Sequence, residues 1–385
     1  MELCMGGSQH VCPYCGSGVS GGLYRFDPIV CGTCGKSWIE PFEAGGMRFD
    51  GLIAASPVFN VFKTYSPKHK LFLRTVVLRP DAPDVEWGRE AVEEEAKKLL
   101  DLRHHNVCPL FEHGEIEGCL TASTPLLDGY PLSTYEPEKH GLLNVNKLVE
   151  VMQAAALGMA VAHYKEIAHH DVCLENVQVD ARGTVRVKEF LVSRFIYRFD
   201  QRNIREDARI RVSVSPYFVS PEKAESGLED QRGDVFSFGV IFYFLLTGVY
   251  PFDCETNTRT IRARIKPDVR KKREEKKRVE EIFNAGNETS IDEGEMSNEY
   301  LPPIPPKERR PGIPKSLSDI IMSMLSYYPH DRPTFSELIH CLNLLRAKTD
   351  VLKIRKTQEE IVDSETKDIP RMESMTKLRK ELEKR

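Results

Sequence analysis

Short apolar runs at 177–179 and 185–187 flank Asp180, Ala181, Arg182 and Gly183, a turn-forming composition, and predict a β-hairpin. Three stretches nearer the start, around 49–54, 59–63 and 71–78, read as strands. Residues 86–103 are rich in Glu, Ala, Lys and Leu and predict a helix. A strand and hinge are expected over 120–127, with Asp128 and Gly129 turning after it, and an amphipathic helix over 142–164. The most apolar run, 235–252, is short for a membrane span and is broken by Gly239, Gly248 and Pro251, so a buried core helix is expected there.

Composition narrows the class. The 385 residues, 41% hydrophobic and 29% charged, suit one large or two modest globular domains with additional segments. A net charge of -4 supplies no whole-protein attraction to nucleic acid or anionic membranes. The first residues carry neither a basic n-region nor a long apolar core, so no signal peptide is read and a cytoplasmic location is expected. Ten cysteines in that setting point to reduced thiols or metal rather than a disulfide framework.

Four of them form two CxxC pairs, Cys12 with Cys15 and Cys31 with Cys34, each followed by glycine. Such pairs can wrap two sides of a tetrahedral ion, and four thiolates suit structural Zn²⁺. The segment resembles a zinc ribbon, which needs its ion to fold; redox pairs are the alternative. Cys4 and His10 fall outside the spacing, Tyr24 and Phe26 are candidates for the ribbon's hairpin, and Trp38 and Phe42 for packing it onto the next domain. Sparse positive charge (Arg25, Lys36, Arg48) argues against nucleic acid.

Around the central hairpin stand His169, Asp171 and Asn176 before it and Glu189-Phe190-Leu191 after it. The order HxDxxxxN, hairpin, acid-Phe resembles the catalytic and metal loops of eukaryotic-type (Hanks-type) Ser/Thr protein kinases. Collinear segments extend the resemblance: Ser215 to Glu222 is similar to GTxxYxAPE, Asp234 to Gly239 to DxxSxG, Leu246 to Phe252 to LTGxxPF, and Pro329 to Pro333 to PxxRP. The resemblance implies an α+β, bilobal fold with a β-rich N-lobe and a helical C-lobe, here preceded by the small zinc ribbon. It also implies Mg-ATP as cofactor, Asp171 as the base, Asn176 and Glu189 at the metal positions, and His169 and Phe190 as structural residues. Asp234 would cap the catalytic loop, and Arg332 would pair with Glu222. Residues 193–220 take the place of the activation loop.

Several family positions are altered. The glycine slots of the phosphate loop hold Ala54, Ser56 and Phe59, and Pro57 lacks an amide. Val76 falls in the lysine slot and Arg74 in the adenine-facing alanine slot, where its guanidinium would fill the pocket; a two-residue slip would put Arg74 in the lysine slot, and an ordinary edge-strand arginine is the plain alternative. Glu95 matches the αC glutamate; without the lysine it is expected to pair with Arg74 or face solvent, with Leu99 apolar one turn on. Cys173 replaces the catalytic-loop lysine, Glu189 the metal aspartate, and Leu191 a glycine. Phosphoryl transfer rests on positioning and electrostatics, and losing one preorganised group costs about 10²–10³-fold in rate.

The expected domains are a ribbon over 1–46 and a kinase-like domain over 47–346, with lobes 47–127 and 128–346, followed by a charged tail over 347–385. A mobile charged and Pro-rich insertion is expected over 262–314, including a basic run at 270–278 and an acidic one at 287–300. These readings favour a pseudokinase that serves protein partners as a scaffold or allosteric subunit. The alternatives are an atypical active Ser/Thr kinase and a nucleic-acid or protein adaptor working through the ribbon. No membrane association is expected.

Overall fold

A computed structural model of the chain describes residues 9–20, 25–82, 85–205, 216–252 and 303–347. Cys4, Tyr24, Ser215, the runs at 270–278 and 287–300 and the tail from 348 lie outside the described residues. Contacts divide the chain into two units, Met1–Leu338 and Ile339–Arg385; the second is described over 339–347, all helical.

Two small antiparallel hairpins come first: β1 (Gln9–Val11) with β2 (Gly18–Ser20), and β3 (Ile29–Val30) with β4 (Ser37–Trp38). Next are β5 (Phe42–Ala44), β6 (Met47–Ala55), β7 (Phe59–Ser66), β8 (Leu71–Leu78), helix α1 (Val85–Leu100), β9 (Glu112–Ile116) and β10 (Cys119–Pro125). The last six strands form one antiparallel sheet in the order β5-β6-β7-β8-β10-β9. Period-two alternation places Phe49, Phe62, Leu73 and Val77 in one buried core. Hydroxyls of Thr64, Thr75 and Ser123 are bonded in a buried chain across β7, β8 and β10, at 2.7 and 2.9 Å, which satisfies polar groups that burial would otherwise penalise. β8 lies inside the sheet, so the reading of Arg74 as an edge-strand residue is corrected: β7 and β10 pair with its two sides.

The helical lobe follows β11 (Tyr130–Pro131) and the short α2 (Pro137–His140). Helix α3 (Val145–Tyr164) is N-capped by Asn144, whose side chain accepts from the amides of Asn146 and Lys147. The hairpin of β12 (Val177–Val179) and β13 (Val185–Val187) joins β11 in a three-stranded sheet. Helix α4 (Phe190–Arg205) is followed by α5 (Pro221–Ser226) and α6 (Gln231–Thr247). Asp230 caps α6, whose apolar residues other than the half-buried Phe244 are buried, as for a core helix. Then come α7 (Pro306–Arg309) and α8 (Lys315–Met324).

Two expectations are overturned here. Residues 190–205 are helical, where an activation loop was expected from 193. The Pro-rich end of the expected mobile insertion is packed over 303–314: Pro306 and Ile313 are buried, the Tyr243 hydroxyl donates to Ile304 O at 2.7 Å, and Arg310 donates to Leu143 O and Leu246 O. Proline at the start of α7 gives up no hydrogen bond, because first-turn amides have no intrahelical acceptor.

Candidate functional site

The loop before β12 is held from beneath by Asp234. Its carboxylate accepts the amides of His169 at 2.7 Å and His170 at 2.8 Å, and meets His163 Nε2 at 2.9 Å. Burial alone would raise the Asp234 pKa; the His163 hydrogen bond and the neighbouring histidines outweigh it and hold the carboxyl below its ordinary value. His169 is buried, lies edge-on to Phe190 with ring centroids 4.5 Å apart, and contacts Lys188 O at 2.8 Å. Burial pushes its pKa down to about 4. His170 has φ +67° and Glu189 φ +74°, left-handed conformations that cost a side-chain-bearing residue roughly 1–2 kcal/mol each.

Asp171 and Asn176 are together. Asn176 Nδ2 donates to Asp171 O at 2.9 Å and to Asp171 Oδ2 at 3.1 Å. Burial lifts the Asp171 carboxyl to about 7, against the pull of the nearby Lys223 cation. Lys223, from α5, donates to His170 O and pairs with Glu229 at 2.7 Å. Cys173 is buried and its thiol is pushed up by burial, so it supplies no charge. Arg332 grips Glu222 through both terminal guanidinium nitrogens at 2.7 and 2.8 Å, and also donates to Ser326 O, Tyr327 O and Arg232 O.

Beneath the sheet an ion pair spans a narrow cavity. Arg74 Nη1 reaches Glu189 Oε2 at 2.7 Å, with the two side chains 18% and 11% exposed. The cavity they share with Val76, Leu102, Ala122 and Leu191 measures about 20 Å³, room for a water molecule. Glu95 is not among the residues that line it. The turn between β6 and β7 has also spent its amides: Val58 N–H and Phe59 N–H donate to Ser56 Oγ at 3.2 and 2.8 Å, and Ser56 N–H donates to Phe59 O. Pro57 has none to offer.

Glu95 corrects a further expectation, since it neither pairs with Arg74 nor faces solvent. It is 1% exposed and bonded to Arg194 Nε from α4, with Lys98 and Arg198 each at 3.1 Å. Burial would raise its pKa; Arg194 overrides that and lowers it. Arg74 cannot serve because it is engaged by Glu189. Helix α4 thus joins α1 to the loop before β12. Phe195 meets Phe59 and Trp87, Arg194 also donates to Ala168 O at 2.6 Å, and Tyr197 stacks on His170 at 3.6 Å. Sequence reasoning missed Arg194, Tyr197, Arg198 and Lys223. The spacing of Arg194 with Arg198 and Phe195 with Phe199, one helical turn apart, was the available signal.

At the N-terminus the Sγ atoms of Cys12, Cys15, Cys31 and Cys34 all lie within 4.8 Å of one another. Tetrahedral Zn²⁺ with Zn–S near 2.3 Å sets sulfurs roughly 3.8 Å apart; Cys12–Cys34 and Cys15–Cys31 are at 3.7 and 3.5 Å. Each pair turns through a glycine at positive φ, Gly16 and Gly35, whose amides donate to Cys12 O and Cys31 O. Hydrogen bonding to Ser17 draws the Cys15 thiol down to about 6. The donor set fits a tetrahedral ion.

An antiparallel sheet lobe over a helical lobe, with an Asp–Asn loop, a capping aspartate and a buried Arg–Glu clasp at the base, defines the bilobal kinase-like class. The family model for the protein kinase domain matches residues 61–342, and the chain belongs to that family. It is 28% identical over 181 residues to the serine/threonine-protein kinase PrkC of Bacillus subtilis, covering 47% of this chain and 27% of that protein. To the serine/threonine-protein kinase PknB of Mycobacterium leprae it is 24% identical over 245 residues, covering 62% and 33%. It spans 27–39% of the length of the first four curated relatives it matches. The crystal structure of the Mycobacterium tuberculosis PknI kinase domain matches with a TM-score of 0.53 at 17% identity, covering 78% of this chain and 97% of that one, a likeness of fold.

Proposed function

We propose that this chain is a pseudokinase, a kinase fold presented to protein partners as a scaffold or allosteric subunit, with an N-terminal zinc ribbon. One observation carries the reading. The Arg74–Glu189 bridge at 2.7 Å ties the β8 arginine to the metal-position glutamate, and the cavity beside it measures about 20 Å³, where a nucleotide needs several hundred. The spent amides of the Ser56 turn support it, as does the engagement of Glu95 by Arg194. In this reading Cys12, Cys15, Cys31 and Cys34 hold one Zn²⁺, which supplies structural cross-linking and no reaction step.

The test is thermal unfolding with and without Mg-ATP. A ligand at about a hundred times its Kd adds roughly 2.7 kcal/mol, so binding gives a clear rise in midpoint. No rise is expected. A rise that disappears in Glu189→Ala overturns the closed cleft.

The paired geometry of Asp171 and Asn176 favours a second reading, an atypical Ser/Thr kinase using these two with Glu189. Phosphate transfer from labelled ATP to protein hydroxyls, lost in Asp171→Asn, would establish it in place of the first.

A further inference from the structure

The cysteine module shares its interior with the sheet lobe through two segments. In the first, Ile29 and Cys31 pack with Cys12 and Trp38 in the module's own small core. Phe26, a few residues earlier and between the two cysteine pairs, belongs to the sheet's core instead, with ring centroids 5.3 Å from Phe49 and 6.2 Å from Phe62. In the second, Trp38 faces the module core and its neighbour Ile39 the sheet core. Of the two residues expected to dock the module, Phe42 stacks on Phe49 at 4.7 Å while Trp38 packs in the module's own core; Phe26 and Ile39 join Phe42 in the sheet core.

Polar contacts fix the first segment to four places on the sheet lobe. Asn60, buried in β7, donates its side-chain amide to Phe26 O at 2.9 Å. Arg79, after β8, reaches Asp27 at 3.6 Å. Arg25 bridges Glu117, in the β9–β10 turn, at 2.7 Å and donates to Glu43 O in β5. A short segment with so little structure of its own holds this position only if its ends are held, and its C-terminal end runs directly into Cys31.

We infer that occupancy of the Cys12, Cys15, Cys31 and Cys34 site governs the order of the β6–β8 sheet, with Phe26 as the coupling residue. The metal then acts as a keystone of the lobe that roofs the cleft, and its loss loosens the surface that lobe offers to partners. The inference rests on the zinc reading proposed for this site, and the experiment separates the two.

The full chain is purified and its zinc content measured. Amide exchange is then followed with zinc bound, after EDTA treatment, and after zinc is returned. About one zinc per chain is expected. On removal, amides of 59–78 exchange on the order of tenfold faster or more, those of α6 keep their protection, and returned zinc restores the first state. Phe26→Ala separates binding from coupling: it keeps its zinc while 59–78 exchange as in the stripped parent. A protein without zinc refutes the metal reading, and this inference with it. Zinc that leaves with change confined to 9–38, or with equal loss in α6, overturns the coupling alone. So does a Phe26→Ala protein that holds zinc and exchanges over 59–78 like the parent; if that variant does not fold, the stripped and restored parent decides.

Discussion

Replacing Arg194 by Met tests the contact that seats α4 against α1. Removing one member of a buried ion pair costs about 3–5 kcal/mol. Glu95 is 1% exposed but keeps Lys98 and Arg198 at 3.1 Å, and Lys98 is 52% exposed and partly screened; the lower end, about 3 kcal/mol, applies. Loss of the donor to Ala168 O is included in that figure. Glu95→Gln removes the charge and leaves Arg194 bonded to Ala168 O, at about 2 kcal/mol. If the two side chains stabilise each other, the double variant loses about 2 kcal/mol less than the sum of the single ones. Urea unfolding followed by helical circular dichroism measures all four proteins. Losses that add to within about 0.5 kcal/mol would refute the account of α4 as seated by this pair. In the proposed reading the Arg194→Met protein also shows no thermal shift with Mg-ATP, because the Arg74–Glu189 bridge does not involve Arg194.

Charge and side-chain geometry set two more expectations. The Asp171 carboxyl is raised to about 7 from an ordinary 3.8, so native protein holds a proton there that unfolded protein lacks, a stabilisation present at low pH and lost as pH rises to about 7. His169, lowered to about 4 from 6.5, does the reverse and withdraws stability as pH falls from 6.5 toward 4; Asp171→Asn leaves that loss unopposed, so its urea midpoint should fall more steeply than the parent's across this window, and parallel curves would contradict the assignment. Arg332→Lys exchanges a planar fork that serves Glu222 and three carbonyls for a single ammonium; a loss of about 2–4 kcal/mol is expected, and a melting point within about 2 °C of the parent would count against it.

Much of the helical lobe was legible because its signals are local or have fixed partners. Asp234, Glu222 and Arg332 stand at positions whose roles need only the right side chain and the right spacing, and each carboxylate meets a donor at 2.7–2.9 Å. The hairpin at 177–187 follows from two valine-rich runs and a turn. The helix over 190–205 was hidden because a kinase comparison assigns that stretch to a loop, while its helical form depends on a distant glutamate and on aromatic contacts with α1. Glu95 was assigned to the wrong partner for the same reason: its cation lies 99 residues further along the chain. At 303–314, proline and charge read as mobility because composition does not reveal that Tyr243 and Arg310 bind the backbone. The doubling of segments 26–31 and 38–39 between two cores was invisible because each contributes few apolar residues to either.

The serine turn between β6 and β7 bears on how such a protein could sense its surroundings. Because Ser56 Oγ takes up the amides of Val58 and Phe59, the turn is braced from within by its own side chain. In the nucleotide-free reading proposed above, adenylate levels would have no lever on the sheet lobe at this point, and a signal entering the lobe through this edge would come from a bound macromolecule or from the metal supply.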